Sequence, residues 1–479
     1  MEVITSNKGQ RKLCFEGFMY TRHKEVAAGF RWRCVRRAKG CKGSVITVEG
    51  TEDVTMSSDH DHPPSTSSIN VAKARLRMKT TALISSENPA KVVSQATQQL
   101  TAEEKVMLKS EDSMKRAIRQ QRCISHPPTP SSLRDLQIVG PWTLTGGIAP
   151  EKFLIHDNGP DSDSRLLIFA TVPCLRLLSE SAIWFMDGNF DQAPKGFLQL
   201  YVILVPLGEG TVSVAYAFMT RKTQEAYEEL LTAIISECAS LGLHPAPDVV
   251  ITDFEKGAMN AVKTVLGEDT QTKACFFHLC QSTWRKVQEL GLVSSYREDD
   301  SFRTFVGMLN ALAFLPVDDV EDGMQLLRAL MPSVAGDLTE YFDSTYVSGS
   351  FRRLTRPDGG LHLRRLPPRF PCDEWNVHEA TVEDSHRTNN NCEAWNRRFS
   401  SLVGHSHPSV WKAIEVLRCE VSSVAAKIAQ EAVGAPPKKR TASSQVQMQR
   451  RLQALCAGYT QGTKTMEQFL RGVSHTIRF

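Results

Sequence analysis

No stretch of this sequence is apolar for long enough to read as a membrane span. The longest such run, Leu198 to Met219, is broken by Pro206 and by Gly208-Glu209-Gly210, and reads instead as two strands and a turn. The opening residues, MEVITSNKGQ, contain no apolar region of the kind a secretory signal needs. No internal repeat is visible, which argues against a solenoid or a propeller. Nor do the cysteines form a disulfide framework. The 12 of them are irregularly spaced over 479 residues, and without an export signal they read as reduced thiols, some of them on metal. Strong net charge is missing too: the formal value is +4, too little to name a partner.

What is present is the composition of a soluble globular protein, 41% hydrophobic and 23% charged, in a chain long enough for several domains. The charge is unevenly spread. Residues 1–48 hold 11 Lys/Arg against 3 Glu, a local +8 that leaves −4 for the rest. A basic N-terminal module on a near-neutral body suggests a polyanion there, nucleic acid before membrane.

Composition divides the chain further. Residues 8–63 are rich in aromatics, Arg, Cys and His. Pro63-Pro64-Ser65-Thr66-Ser67-Ser68 is a linker by composition. Residues 71–123 read as helices: one carries Ala72, Leu76 and Met78, one starts at Pro89, and a third spans about 101–121 behind a Thr101/Glu104 capping-box pattern. Along that third helix Lys115, Arg116, Arg119 and Arg122 recur at helical spacing, a candidate DNA-facing stripe or a solvated face. From about 150 to 284, strands alternate with helices. Residues 285–385 look mainly helical or irregular, 386–420 return to the core with a helix near Asn390, and 421–479 form a C-terminal tail. The tail holds the basic run Pro436-Pro437-Lys438-Lys439-Arg440, a candidate nuclear import signal, and a helix near Thr465–Gly472.

Two constellations carry chemistry. In the first, Cys34 and Cys41 have six residues between them, and His60 and His62 follow after a further 18. Two thiolates and two imidazoles suit tetrahedral zinc. Two histidines two apart on an extended segment project to one face. A module of about 50 residues has little core, so a bound metal would supply much of its folding free energy. Cys14 and His23 are less regular candidates. The order Phe15, Gly17, Tyr20, Phe30, Trp32, Arg33, Cys34 resembles the FLYWCH-type zinc finger over about residues 8–63. That resemblance implies a zinc-bound antiparallel sheet used for DNA or protein contact, with Arg31, Arg33, Arg36 and Arg37 as candidate DNA-binding residues beside Lys115, Arg116 and Arg119.

In the second, Asp187 follows Ile183-Trp184-Phe185-Met186 and Asp253 follows Val249-Val250-Ile251-Thr252. Each is a carboxylate at the end of a buried apolar strand, where a rigid sheet can hold the two side by side. Two such anions repel, and one tends to protonate. A divalent cation removes the conflict. Magnesium prefers carboxylates plus retained waters, and paired ions about 3.5–4 Å apart activate a nucleophile and stabilise a leaving phosphate oxygen. A third acid from a distant helix is then needed. Glu393, after Arg387-Thr388-Asn389-Asn390-Asn391-Cys392, fits: the polar run can cap a helix, and a carboxylate in its first turn suits the dipole.

An ordered series resembles the transposases of Mutator-like elements over about residues 150–420. It includes Trp184-Phe185-Met186-Asp187-Gly188-Asn189-Phe190, Gln199-Leu200-Tyr201, Ile251-Thr252-Asp253-Phe254-Glu255, Cys275-Phe276-Phe277-His278-Leu279, Glu393-Ala394-Trp395 and His407-Pro408-Ser409-Val410-Trp411. The resemblance implies an α/β RNase H-like catalytic core, a mixed sheet flanked by helices, with a helical insertion before the last acid. It implies Mg²⁺- or Mn²⁺-dependent DNA cleavage and strand transfer by Asp187, Asp253 and Glu393, on terminal inverted repeats and target DNA, by a homo-oligomer in the nucleus. Cys275 and His278 match a Cys-x-x-His pair of the family and are read as accessory to the active site. Asn189 stands where Thr is more usual and Asn396 where His is common. The alternatives are a domesticated, catalytically silent DNA-binding or regulatory protein, and a nuclease that cuts without joining.

Overall fold

The computed structural model describes residues 1–5, 10–27, 29–48, 53–84, 87–123, 126–128, 130–208, 210–355, 361–434 and 443–477. Glu209 of the expected turn and the basic run Pro436–Arg440 lie outside them. The chain divides into two compact units, Met1–Thr129 and Pro130–Phe479.

The first unit opens with six strands: β1 (Glu2–Thr5), β2 (Arg11–Phe15), β3 (Phe18–Val26), β4 (Gly29–Cys34), β5 (Ser44–Thr47) and β6 (Val54–Ser58). They form one sheet in sequence order, every neighbour antiparallel. Strand alternation turns Leu13, Tyr20, Trp32, Cys34 and Val45 inward as a small core with Cys41. The buried Trp32 Nε1 donates to Thr47 Oγ1 at 2.9 Å, so the indole is not stranded. Four helices follow: α1 (Thr66–Ile84), α2 (Pro89–Thr97), α3 (Ala102–Val106) and α4 (Glu111–Cys123).

Two details depart from the sequence reading. The Pro/Ser stretch is no free spacer: Ser65 N–H donates to Gly17 O at 2.8 Å, and Ile69, Ala72 and Leu76 of α1 pack on Ile4, Cys14 and Met19 of the sheet. Apolar residues just beyond Ser68 dock α1 at once. The third expected helix is two. The Thr101/Glu104 capping box forms as read, but Ser110 interrupts, its hydroxyl accepting from Ser113 N–H at 3.4 Å to start α4 anew.

The second unit is built on β7 (Leu154–Asp157), β8 (Leu166–Ala170), α5 (Val172–Glu180), β9 (Ile183–Asn189), β10 (Gln199–Leu207), β11 (Gly210–Met219), α6 (Gln224–Ser240), β12 (Val249–Thr252), α7 (Lys256–Leu266), β13 (Gln271–Ala274) and α8 (Phe276–Glu289). The strands form a seven-stranded mixed sheet in the order β13-β12-β9-β10-β11-β8-β7. β9, β10, β11, β8 and β7 run antiparallel, and β12 and β13 run parallel on the other flank of β9. Both faces are covered, which is why β9–β12 read as continuous apolar runs. Trp184, Met186, Tyr201 and Ile203 pack on the α5–α7 side. Phe185, Leu200, Val202 and Leu204 face the opposite core.

A helical region follows: α9 (Val293–Glu298), α10 (Asp300–Ala311), α11 (Val320–Ala329), α12 (Gly336–Phe342), a π-helical turn Asp343–Val347, the hairpin β14 (Ser350–Thr355) and β15 (Leu361–Leu366), α13 (Cys372–Trp375) and α14 (His378–Val382). Then come α15 (Asn390–Val403), α16 (Val410–Ala432), α17 (Ser443–Thr460) and α18 (Met466–Thr476). The hairpin had no signal in the sequence reading. Residues 443–477 are also more than a tail. Leu452, Cys456, Phe469, Leu470 and Val473 join Phe302, Leu309, Phe314 and Trp375 in one helical core. Gly307 permits the close approach of α18 to α10, since a Cβ there would meet Ser474 Oγ at 2.1 Å; that hydroxyl donates to Thr304 O at 3.0 Å.

Candidate functional site

The Cys/His quartet assembles in the first unit. Cys34 ends β4, Cys41 follows a 3₁₀ turn Arg37–Lys39, and His60 and His62 follow β6. Cys34 Sγ lies 3.3 Å from His62 Nε2 and Cys41 Sγ 3.4 Å from His60 Nδ1. All four ligand atoms lie within 4.8 Å of one another. A tetrahedral zinc ion, at about 2.3 Å from sulfur and 2.0 Å from nitrogen, separates adjacent ligands by roughly 3.5 Å, so the donors fit.

Sequence reasoning missed what aims these ligands. Tyr20 Oη bonds His60 Nε2 at 2.9 Å, Phe18 stacks on the His60 ring at 3.7 Å, and His62 Nδ1 pairs with Pro63 O at 3.0 Å. These partners leave His60 Nδ1 and His62 Nε2 for the metal. The N–H groups of Arg36 and Gly43 donate to the two sulfurs at 3.3 and 3.4 Å, favouring thiolates. Gly43 is required here, because a Cβ would sit 2.4 Å from the His60 ring. Cys14 is instead a core residue beside Ile4 and Ile69, and His23 is exposed among Lys24, Arg31, Arg33 and Arg37, whose charges help to lower its pKa after desolvation. Arg36 and Arg37 are exposed as well. On α4, Arg116 and Arg119 are exposed, Lys115 pairs with Glu111 at 2.7 Å, and Arg122 donates to Glu87 O at 2.7 Å.

The acidic residues come together in the second unit. β9 and β12 run parallel with Phe185 opposite Ile251. Asp187 lies two residues further along β9, and Asp253 is the residue that follows β12; its charge reaches Asp187. Asp187 is 5% exposed. Burial first, then the charge of Asp253, raises its pKa to about 7, against a hydrogen bond from Asn396. Burial also raises Asp253 to about 7, with the Glu255 charge adding and Lys222 opposing. Asp253 Oδ1 is buried with no hydrogen-bond partner among the described residues.

Glu393 lies in the first turn of α15, close enough for its charge to raise the Asp187 pKa. Burial raises its own. What holds it is a stripe on one helix face, Asn389, Glu393, Asn396 and Ser400. Asn389 Nδ2 donates to Met186 O of β9 at 3.1 Å, Asn396 Nδ2 to Asp187 Oδ2 at 2.8 Å, and Ser400 Oγ accepts from Gln192 Nε2 at 3.1 Å. The polar run does supply the N-cap residue, Asn389, but its side chain makes no cap bond; it straps α15 to the strand. On the other face, Trp395 Nε1 and Arg398 both donate to the buried Glu420 of α16, at 2.9 and 2.5 Å.

Cys275 and His278 open α8 behind this arrangement. Cys275 Sγ accepts from Asn389 N–H at 3.0 Å, so the thiol seats the entry to α15. Burial pushes it up to about 11, and burial lowers His278 to about 4. Both shifts favour the neutral forms, and His278 Nδ1 is buried with no hydrogen-bond partner among the described residues. Neither belongs to a metal-ligand group among the described residues.

Residues 3–62 match the family model of the FLYWCH zinc finger domain, and residues 183–282 match that of the MULE transposase domain. The chain joins a FLYWCH zinc finger to a MULE transposase domain. The finger match takes in β1, which the sequence reading had left out. The MULE transposase match contains Asp187, Asp253, Cys275 and His278 and stops before Glu393. No match to a curated protein was found. Among the described residues no helix is long and apolar enough to cross a membrane.

Proposed function

We propose that the protein is a DNA transposase of the Mutator-like type, cutting and joining element ends with Asp187, Asp253 and Glu393 as its DDE trio. The observation that carries this reading is that Asp187 lies on β9 and Asp253 directly follows the parallel neighbour β12, with the Glu393 helix strapped to β9 at Met186 and Asp187 by Asn389 and Asn396. The strand order supports an RNase H-like core: three antiparallel strands, β9 to β11, extended past β9 by parallel β12 and β13.

The donor set fits a hard divalent cation. It offers only carboxylate oxygens, two from aspartates whose pKa burial has raised to about 7, and one oxygen with no partner. Asp187, Asp253 and Glu393 would hold Mg²⁺ or Mn²⁺. Bound there, such ions supply a water or 3′-hydroxyl made nucleophilic and charge stabilisation at the phosphorus. The sheet holds the two aspartates rigidly; α15 sets the glutamate; neutral Cys275 anchors the segment before it. DNA would be gripped through the basic finger and α4, making binding salt-dependent. Nuclear location and a homo-oligomer on DNA belong to the same reading.

The test is cleavage of matched terminal inverted repeats by the full chain with Mg²⁺ or Mn²⁺. Wild type cuts and Asp253→Asn does not. The rival, a DNA-binding regulatory protein that keeps the fold without the reaction, predicts no difference between them.

A further inference from the structure

Asn189 and Asn396 meet. Asn189 Oδ1 accepts from the backbone N–H of Gln192 at 2.9 Å. Asn189 Nδ2 donates to Asn396 Oδ1 at 2.9 Å. Asn396 Nδ2 donates to Asp187 Oδ2 at 2.8 Å. The polarity of this chain is imposed from one end. A backbone N–H can only donate, so Asn189 must present its oxygen to Gln192 and its nitrogen to Asn396. Asn396 must then accept with its oxygen, which turns its own nitrogen on Asp187. Reversing either amide would set oxygen against oxygen or nitrogen against nitrogen. Asn396 is also one turn beyond Glu393 on α15, so the same bond ties the third acid's helix to the strand of the first.

We propose that Asn396 is a positioning residue for a metal-binding Asp187, and that Asn189 orients it. The proposal rests on reading the acids as a divalent-cation site. The relay occupies Oδ2 from one side and, with the backbone bond from Gly188, fixes the carboxylate's rotation, leaving lone pairs for a cation shared with Asp253. Residues that aim a ligand in this way typically change metal affinity about 10–100-fold when removed.

The experiment is direct Mn²⁺ binding by the zinc-loaded full chain, followed by electron paramagnetic resonance, with a thermal melt of each variant. Asn396→Ala should weaken Mn²⁺ by about tenfold or more. Asn396→His should stay within a few-fold of wild type, because a neutral imidazole carries one donor and one acceptor and can continue the relay. Asn189→Ala should fall between, and the double alanine variant should bind no more weakly than Asn396→Ala, since Asn189 acts through Asn396. Wild-type affinity in Asn396→Ala, equal weakness of the alanine and histidine variants, or additive losses in the double variant overturns the relay. Asp253→Asn separates the two levels of the claim. If it binds Mn²⁺ as wild type does, the metal reading fails and takes the relay with it. If it loses Mn²⁺ while Asn396→Ala keeps it, only the relay fails.

Discussion

The two candidate metal centres are built on opposite principles. In the finger, two thiols and two neutral imidazoles converge, and the cysteines oppose one another's ionisation; the four ligand atoms lie within 4.8 Å of one another, drawn from residues 34–62. The three acids of the second unit are like-charged and come from a strand, the end of a neighbouring strand and a helix. They do not form such a close group among the described residues. Donors that attract or tolerate one another can organise a small module locally. Donors that repel must be forced together by something rigid, here a sheet covered on both faces and a helix clamped across it.

Removing finger ligands should have the largest effect. Structural zinc binding in such modules is worth about 10–16 kcal/mol, so Cys34→Ser or chelation should abolish the finger's fold, read as lost zinc and altered circular dichroism. A finger that melts unchanged without zinc would break the comparison.

At the acids the sign reverses. Because burial raises both aspartates from 3.8 to about 7, the stability they contribute is complete below about pH 4 and is lost as pH rises through about 7. The metal-free chain should therefore melt lower at pH 8 than at pH 5.5, and Asp253→Asn should raise the melting temperature at pH 8 by the equivalent of about 2–4 kcal/mol. Acid should act oppositely on the finger, whose thiolates and imidazoles release metal when protonated. A destabilised Asp253→Asn at pH 8 would contradict the strain assigned to this site.

A smaller effect sharpens the comparison. Tyr20→Phe keeps the ring but removes the bond to His60, and zinc affinity should fall about tenfold, measured by competition with a chelator. Smallest is Arg33→Ala, in the Arg31/Arg33/Arg37 cluster. It should weaken DNA binding uniformly across sequences and reduce the salt slope by about 1; an unchanged slope would move the DNA contact off this face.

The same contrast explains what the sequence made legible. The finger's ligands were readable because type and spacing alone point to zinc, and the strands leading to Asp187 and Asp253 because sheets buried on both faces leave continuous apolar runs. Glu393 was not readable from spacing: 139 residues separate it from Asp253, and it came through family resemblance. The clamps were invisible, since Asn389 resembles any polar helix start and Asn396 any polar helix residue until β9 lies beneath them. The same holds for Tyr20 and Gly43, whose roles are defined by a histidine brought close by the sheet. The packing of α17 and α18 was missed for a related reason, because their apolar faces make sense only against α14, α10 and each other.

Glu393 is the member of the trio that lies outside the matched MULE residues, so it bears the account's central claim. The direct measurement is metal-dependent cutting of element-end DNA by Glu393→Gln beside wild type and Asp253→Asn. The account predicts that the glutamine variant binds DNA as wild type does and loses cutting as completely as Asp253→Asn. Wild-type cutting by Glu393→Gln would contradict it.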